Sequence, residues 1–487
     1  MTFKEHLKDI GSHSVIYFAG WVISFGIRLS LLPVFTRYLN RAEYGTVSLL
    51  DSAIELFRIL CALGFGEALV RFYHARQDAA YKRSVMATGA GIMLIATVFF
   101  GLIIFPFSRS LTAMILGTGR QTFLFQLALG TVLMNILRSV SDTYLTANKR
   151  SLNYIAISTS YAIFQGAINL YLVVFRREGM MGMLTGNLIS ASIYGSCLFG
   201  YVVYKNGISL KKELAVPMLK FGAPLVPSLW AAAAMHNMDR FFIRHYRGLE
   251  EVGLYSLAYQ FPFMLNTLFL TSFNRIWNAS SIYEIARSPD APRQYGRVCT
   301  YYMMMLTVAM FSISILSDTV IRLFAAPSYF DAYRYLPIIA LGIWGYSLHT
   351  FVKPGVLLTK KTYLLTINFT LAFICNLVLN FLLVPKWGAM GAAWASVLTY
   401  FAFSLGGFFI YRICYPISLE WMRLLKMLSL AIALFICRQA IHTPDAKSAL
   451  FVEIAFLMIF PALLLVVLNP AEKKQIKKWY LAVFKAQ

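Results

Sequence analysis

Charge is scarce in this sequence. Only 13% of its 487 residues are Asp, Glu, Lys or Arg, against 59% apolar residues. A water-soluble domain carries about twice that charged share. Polar stretches are short as well, and none between apolar runs is much longer than 279–297. A membrane-embedded glycosyltransferase or polysaccharide polymerase needs long extramembrane loops to hold acid and base groups, so those classes are disfavoured. No Gly-rich phosphate loop, zinc-ligand spacing or deaminase pattern is present. The cysteines are few: Cys61, Cys197, Cys299, Cys375, Cys414 and Cys437. All lie in or beside apolar runs, so they imply no disulfide framework and read as small packing residues.

Apolar runs fill the rest of the chain. Spanning a ~30 Å hydrocarbon core takes about 20 mostly apolar residues as a helix. Fourteen runs approach that length: 13–35, 45–66, 84–106, 122–145, 152–175, 182–204, 221–239, 253–278, 298–325, 335–358, 363–384, 390–410, 427–441 and 449–468. They are continuous rather than alternating, so helices are expected and not a barrel. The first run follows a charged segment and lacks a small-residue cleavage site, so it reads as a span and not a leader. The mean hydropathy of +0.64 agrees. The expected fold is an all-α polytopic membrane protein with about fourteen transmembrane helices.

Basic residues orient it. Of 44 Lys and Arg, 25 fall in one alternating set of segments and 13 in the other. Positive charge marks the cytoplasmic side, which puts both termini inside. The formal net charge of +23 is scattered over those inner loops. That pattern suits anionic lipid and gives no reason to expect nucleic acid.

The chain also repeats itself at an offset of about 210. Glu43-Tyr-Gly-Thr-Val-Ser-Leu49 matches Glu251-Val-Gly-Leu-Tyr-Ser-Leu257, and Gly179-Met-Met-Gly182 matches Gly388-Ala-Met-Gly391. Lys149 and Arg150 correspond to Lys360 and Lys361. Gln165 and Asn169 correspond to Asn376 and Asn380. Three units are therefore expected. Residues 1–210 form a six-helix lobe, 211–415 a second, and 416–487 two appended helices with an amphipathic tail. An even number of spans makes the lobes parallel, with a substrate cavity between them.

Ionisable groups inside spans are costly and so are functional candidates. Asp51, Glu55 and Arg58 share one helix face. They serve either as an internally neutralised packing cluster or as an ion-coupling site with Glu55 as carrier. Arg138 and Asp142, four apart, read as a stabilising pair or as part of a site. Arg28 has no acidic neighbour on its own helix, which favours a ligand-facing role. Gln260, Thr267, Thr271, Asn274 and Asn278 form one polar stripe with Arg275 beside it. A lipid-facing helix would not carry such a stripe, so it should line a wet cavity. Arg275, Arg322 and Lys353 also suit snorkelling from span ends. His236 and His349 read as packed histidines. Segments 3–10, 208–220 and 472–485 set apolar against basic residues, as interfacial helices do.

Several stretches resemble a known family. Leu31-Leu-Pro-Val-Phe-Thr-Arg-Tyr-Leu39, Glu43-Tyr-Gly45 and Ala68-Leu-Val-Arg-Phe-Tyr73 are similar to the bacterial polysaccharide transporter family, the Wzx-type flippases. Met238-Asp-Arg-Phe-Phe-Ile243 and Val252-Gly-Leu-Tyr255 resemble the start of that family's second bundle. The superfamily also holds MATE exporters and lipid II flippases. The resemblance implies two lobes rocking between inward- and outward-open states in the bacterial inner membrane. It implies an undecaprenyl-pyrophosphate-linked sugar repeat unit as cargo, for O-antigen, capsule or exopolysaccharide assembly. Lipid II flippases carry an arginine in the first helix that faces a cationic cavity, and Arg28 falls at a similar place.

Basic groups in the cavity would replace the water around the pyrophosphate, with Arg28, Arg58, Arg138 and Arg275 as candidates. Thr267, Thr271, Asn274 and Asn278 would meet the sugar. Glu55, Asp51 and Asp142 are the coupling candidates for a proton or sodium gradient. No enzymatic activity, cofactor or metal is expected. The working unit is expected to be a monomer amid membrane lipids, with a polysaccharide polymerase and a chain-length regulator as candidate partners. A MATE-type exporter of cationic drugs is the alternative; its cargo wants acidic lining.

Overall fold

Long apolar runs fold as helices because lipid leaves the backbone no partner but itself. The computed structural model describes residues 3–148, 150–277, 281–359, 361–442, 445–464, 468 and 472. The side chains of 3–19, 21, 151, 271, 272, 275, 276 and 446 lie outside that description. The first half runs α1 (Phe3–Tyr38), α2 (Arg41–Ala62), α3 (Phe65–Tyr73), α4 (Ala79–Ile104), α5 (Ser108–Leu116), α6 (Thr122–Ala147), α7 (Ser151–Leu170) and α8 (Gly179–Asn206). The second half opens with α9 (Lys212–Gly222), α10 (Val226–Arg247), α11 (Leu249–Ile276), α12 (Ile282–Ile285) and α13 (Ala291–Ile315). It continues with α14 (Ser317–Phe324), α15 (Leu336–Ser347), α16 (His349–Val352), α17 (Pro354–Thr359) and α18 (Tyr363–Arg412). The last helices are α19 (Trp421–Ala440) and α20 (Ala446–Leu464). No strand occurs among the described residues.

The chain is an all-α, multi-pass membrane protein. Eight described helical segments are long and apolar enough to cross a membrane, or nine with the bent pair Pro327–Arg334 and Leu336–Thr359. The 50-residue α18 is broken at Gly388 and covers two expected spans. Helix α2 is not among the eight, and five of its residues, Arg41, Glu43, Asp51, Glu55 and Arg58, are charged. Fourteen spans therefore stays an expectation.

Three local expectations change. Residues 3–10 form the first turns of α1, continuous with the first span, rather than a separate surface helix. The 208–220 segment becomes helical only at Lys212. The seventh span does not stop at residue 239, because α10 continues to Arg247 and carries Asp239 and Arg240 inside it. Tail residues 473–485 lie outside the described residues.

The appended helices α19 and α20 pack on α13 of the second half. Arg438 pairs with the buried Glu453 at 3.0 Å, and Thr319 donates to the same carboxylate at 2.9 Å. Near the opposite end of α19, Arg423 pairs with Glu420 at 2.8 Å and with Glu472 at 2.7 Å.

The two halves meet at the inner end, where Gly64 and Gly222 are in backbone contact, and at the end that the charge bias predicts to be outside. Helices α2 and α11 cross there through Gly45 and Gly253, which are equivalent positions in the repeat. A Cβ on Gly45 would overlap the backbone oxygen of Leu249, and one on Gly253 would overlap that of Arg41. The crossing is thus reciprocal, each glycine receiving the other helix's first turn. Around it, the Tyr329 hydroxyl donates to the Leu39 carbonyl at 2.9 Å. The Ala326 N–H donates to the Thr36 hydroxyl at 3.0 Å. Arg41 donates to the Ser328 carbonyl and lies 3.6 Å from Asp331. The Tyr44 hydroxyl reaches Gln260 at 3.0 Å.

The repeated glutamates do parallel work. Glu43 completes a capping box with Asn40 and lies against Gly179, which has φ +57°. Glu251 accepts the Ala389 N–H at 2.7 Å and lies against Gly388, with φ +59°. Positive φ with a carboxylate in contact leaves no room for a side chain. Gly388→Ala should therefore destabilise the fold by about 1–3 kcal/mol. A lower melting temperature of the detergent-purified variant would show it; an unchanged one would refute the argument.

Candidate functional site

The charges of the first half gather on α1, α2 and α6. Asp51 is solvent-exposed although it lies in the middle of the chain's packing, with Ser52, Ala53 and Ile54 buried beside it. Arg28, on α1, is exposed too. Asp51 lies in the fields of Arg28, of Glu55, and of Arg240 from the other half. Arg28 and Arg138 both act on Tyr161 of α7. Five helices, α1, α2, α6, α7 and α10, thus bring side chains to one electrostatic neighbourhood.

Its cations are not equally available. Arg58 grips Glu55 with two hydrogen bonds of 2.6 and 2.7 Å. Arg138 lies 3.5 Å from Asp142 and 4.4 Å over the Tyr161 ring. Among the described residues, no ion pair holds Arg28. The three arginines and three carboxylates sum to zero formal charge, which is less basic than the sequence suggested. The second half adds Arg240 and the adjacent Asp239, which both act on Tyr259 and leave the sum at zero. Arg240 is buried, donates to Ser256 at 3.1 Å and to the His236 carbonyl at 2.9 Å, and lies 4.8 Å over the Tyr259 ring.

The polar stripe on α11 starts at the contact between halves, where Gln260 accepts the Tyr44 hydroxyl. Thr267 donates to the Phe263 carbonyl at 2.8 Å. Asn274 has a buried Oδ1 without a hydrogen-bond partner. The side chains of Thr271 and Arg275, and all of Asn278, lie outside the described residues.

The deepest carboxylate is one that sequence reasoning passed over. Asp239 has no solvent exposure. Its Oδ2 accepts from the Tyr255 and Ser396 hydroxyls, both at 2.6 Å. Its Oδ1 accepts from Asn380 at 2.9 Å and Asn376 at 3.4 Å. Among the described residues, no ion pair neutralises it. A buried charge without a counter-charge is costly, even when well hydrogen-bonded. The Asn380 Oδ1 beside it is buried and unpartnered as well.

The repeat explains where this knot comes from. In the first half, Gln165 and Asn169 both donate to Asn187, at 3.0 and 2.9 Å, in a neutral version of the same arrangement. Asp239 stands twelve residues before Glu251, and Leu31 stands twelve before Glu43. Leu31 packs at Gly166, inside that neutral knot. Only the second half carries the charge. By the same count, Arg28 corresponds to His236 and Asp51 to Tyr259. The signal for Asp239 was present in the sequence as Asn376 and Asn380, four apart, but without their partner.

Residues 7–277 match the family described as polysaccharide biosynthesis protein. The chain belongs to that family. It is 23% identical over 272 residues to the succinoglycan biosynthesis transport protein ExoT of Rhizobium meliloti, covering 54% of this chain and 53% of that one. It is 24% identical over 270 residues to the Lsg locus putative protein 1 of Haemophilus influenzae, covering 52% and 61%. The chain thus spans between half and two-thirds of the length of these curated relatives.

Solved structures show the fold. The lipid II flippase MurJ in an inward closed conformation superposes with a TM-score of 0.70 at 13% identity, over 93% of this chain and 98% of that one. An inward-facing multidrug resistance MATE family transporter of the MOP superfamily gives 0.64 at 13% identity, over 85% and 99%. A MOP superfamily transporter from Pyrococcus furiosus, with a binding pocket of reverse polarity, gives a TM-score of 0.61 at 12% identity, over 86% of this chain and 96% of that one. The family member described here has the MOP transporter fold.

Proposed function

We propose that this chain is a flippase for an undecaprenyl-pyrophosphate-linked oligosaccharide in the bacterial inner membrane, with both termini cytoplasmic. The observation that carries it is Arg28, an exposed guanidinium with no ion pair among the described residues, which acts on Asp51 together with Arg240 of the other half. A pyrophosphate cannot enter hydrocarbon bare. A planar guanidinium can replace its water with two parallel bonds. The halves, 1–210 and 211–415, act as two lobes. Gly45 and Gly253 bring them into backbone contact at the outer end, and Gly64 and Gly222 do so at the inner end.

Asp239 is the coupling group that the geometry favours. Asn376, Asn380, Tyr255 and Ser396 all donate to this buried carboxylate, and among the described residues no ion pair holds it, so its charge is the one an ion gradient can act on. Glu55, the candidate from sequence, is tied to Arg58, and Asp142 to Arg138. Asp51 stays open, and an exposed carboxylate would suit the cationic cargo of a drug exporter.

Vesicles carrying a fluorescent lipid-linked oligosaccharide test this. Arg28→Ala should slow translocation at least about tenfold, a loss of about 1.4 kcal/mol. Arg28→Lys should recover part of it, since lysine keeps the charge and loses the fork. Normal translocation by both variants, or transport of cationic dyes but not of the lipid, would refute the assignment.

A further inference from the structure

We propose that His236, Phe263 and Tyr346 form a stacking wall for the saccharide of the cargo, opposite the phosphate-binding Arg28. The proposal rests on the flippase assignment and adds to it a division of labour between the halves.

The wall stands where the repeat puts it. His236 is the counterpart of Arg28, each lying fifteen residues before its repeat glutamate. One half thus presents a guanidinium and the other an imidazole set among aromatic rings. Phe263 is 41% exposed, which is unusual for a ring flanked by polar residues on a helix. It lies between Gln260 and Thr267 on the polar face of α11. Gln260 touches Tyr44 of the first half, so this face looks across the gap and not into lipid. His236 and Tyr346 are half-buried. The imidazole centroid is 5.9 Å from that of Phe263 and 4.7 Å from that of Tyr346.

The rings are fixed from behind. Tyr259 stacks under Phe263 at 5.8 Å, and Phe403 stacks on Tyr346 at 5.7 Å. The His236 Nδ1 lies 2.7 Å from the Tyr400 hydroxyl and 3.0 Å from that of Tyr259, and the two hydroxyls are 2.9 Å apart. This triangle satisfies both hydroxyl hydrogens only if Nδ1 accepts. The ring N–H then belongs to Nε2, a donor suited to a hydroxyl oxygen. A wall whose rotamers are already locked loses little entropy on binding.

The chemistry selects a neutral ring rather than a cation. Aromatic clusters attract cations through their electron-rich faces. Here Arg240 already occupies the face of Tyr259 at 4.8 Å, which opposes a second positive charge. A sugar has a flat face of C–H bonds that packs on an aromatic ring, and a rim of hydroxyls for polar groups. Aromatic walls with a few placed polar atoms meet both needs.

The test compares two lipids bound to the purified chain in nanodiscs, read by native mass spectrometry. One is undecaprenyl pyrophosphate. The other is the lipid-linked oligosaccharide that accumulates in the source cells when this chain is deleted. The wild type should prefer the glycosylated lipid by about tenfold. Phe263→Leu and Tyr346→Leu keep apolar volume and lose the flat face. Each should erase most of that preference while holding the sugar-free lipid within about threefold of wild type. Variants that keep the preference, or that lose both lipids equally, would overturn the wall and leave the flippase assignment standing. A wild type that binds neither lipid would overturn both.

Discussion

Asp239→Asn should abolish the response of transport to an imposed ion gradient while leaving the protein folded. The substitution keeps the side chain's size and removes its charge. Burying an amide costs far less than burying an unpaired carboxylate, so the fold has no electrostatic reason to fail. What fails is recognition. The carboxylate accepts from Tyr255, Ser396, Asn376 and Asn380. The amide oxygen can still accept from Asn376 and Asn380 and its NH2 can donate to the Tyr255 and Ser396 hydroxyl oxygens, but it carries no charge for a proton or a cation to neutralise. A drop of about a hundredfold in gradient-driven flipping is expected, about 2.7 kcal/mol. Vesicles with a proton or sodium gradient, wild type beside variant, make the measurement. Glu55→Gln is the internal comparison, with a smaller effect expected because its partner Arg58 is held locally. Unimpaired gradient-driven flipping by Asp239→Asn would remove it from the mechanism.

Asp239 also shows where sequence reasoning ran out. Apolar runs located the long helices but not the short α3, α5 and α12, because lipid leaves helices as the economical solution for a spanning run. The repeat was legible from Glu43-Tyr-Gly45 and Glu251-Val-Gly253, and Arg28 stood out as a lone charge. The seventh span, however, was ended at Asp239 because a hydropathy window closes on an Asp-Arg pair. Its continuation to Arg247 depends on partners in α18, 137 to 157 residues away. Nothing local announces them. Conversely, the spacing of Glu55 and Arg58 allowed both a free carboxylate and an ion pair, and only side-chain geometry chose the pair. The glycines of the repeat were visible as a pattern, but their contact was not. That Gly45 and Gly253 meet each other is a fact about two helices 208 positions apart in the chain.

That contact yields the second large effect. Gly45→Val should open the closed end. The atoms that a Cβ at Gly45 would strike, the Leu249 oxygen and the Gly253 nitrogen, belong to backbone and cannot rotate aside. Relief requires the helices to separate, which also strains Tyr329 with Leu39 and Tyr44 with Gln260. Overpacking of this kind costs about 1–3 kcal/mol. In a transporter with two accessible states that cost falls on one of them. The equilibrium should therefore move about ten- to a hundredfold toward the state open at this end. Arg28→Cys, placed between the halves in a background without other cysteines, reports it. A membrane-impermeant maleimide added outside should label that cysteine slowly in the parent and at least about tenfold faster with Gly45→Val. Gly253→Val should do the same, and the double variant should add little, because both side chains break one contact. Unchanged labelling in a folded Gly45→Val protein would mean that the crossing is static packing and the moving contact lies elsewhere.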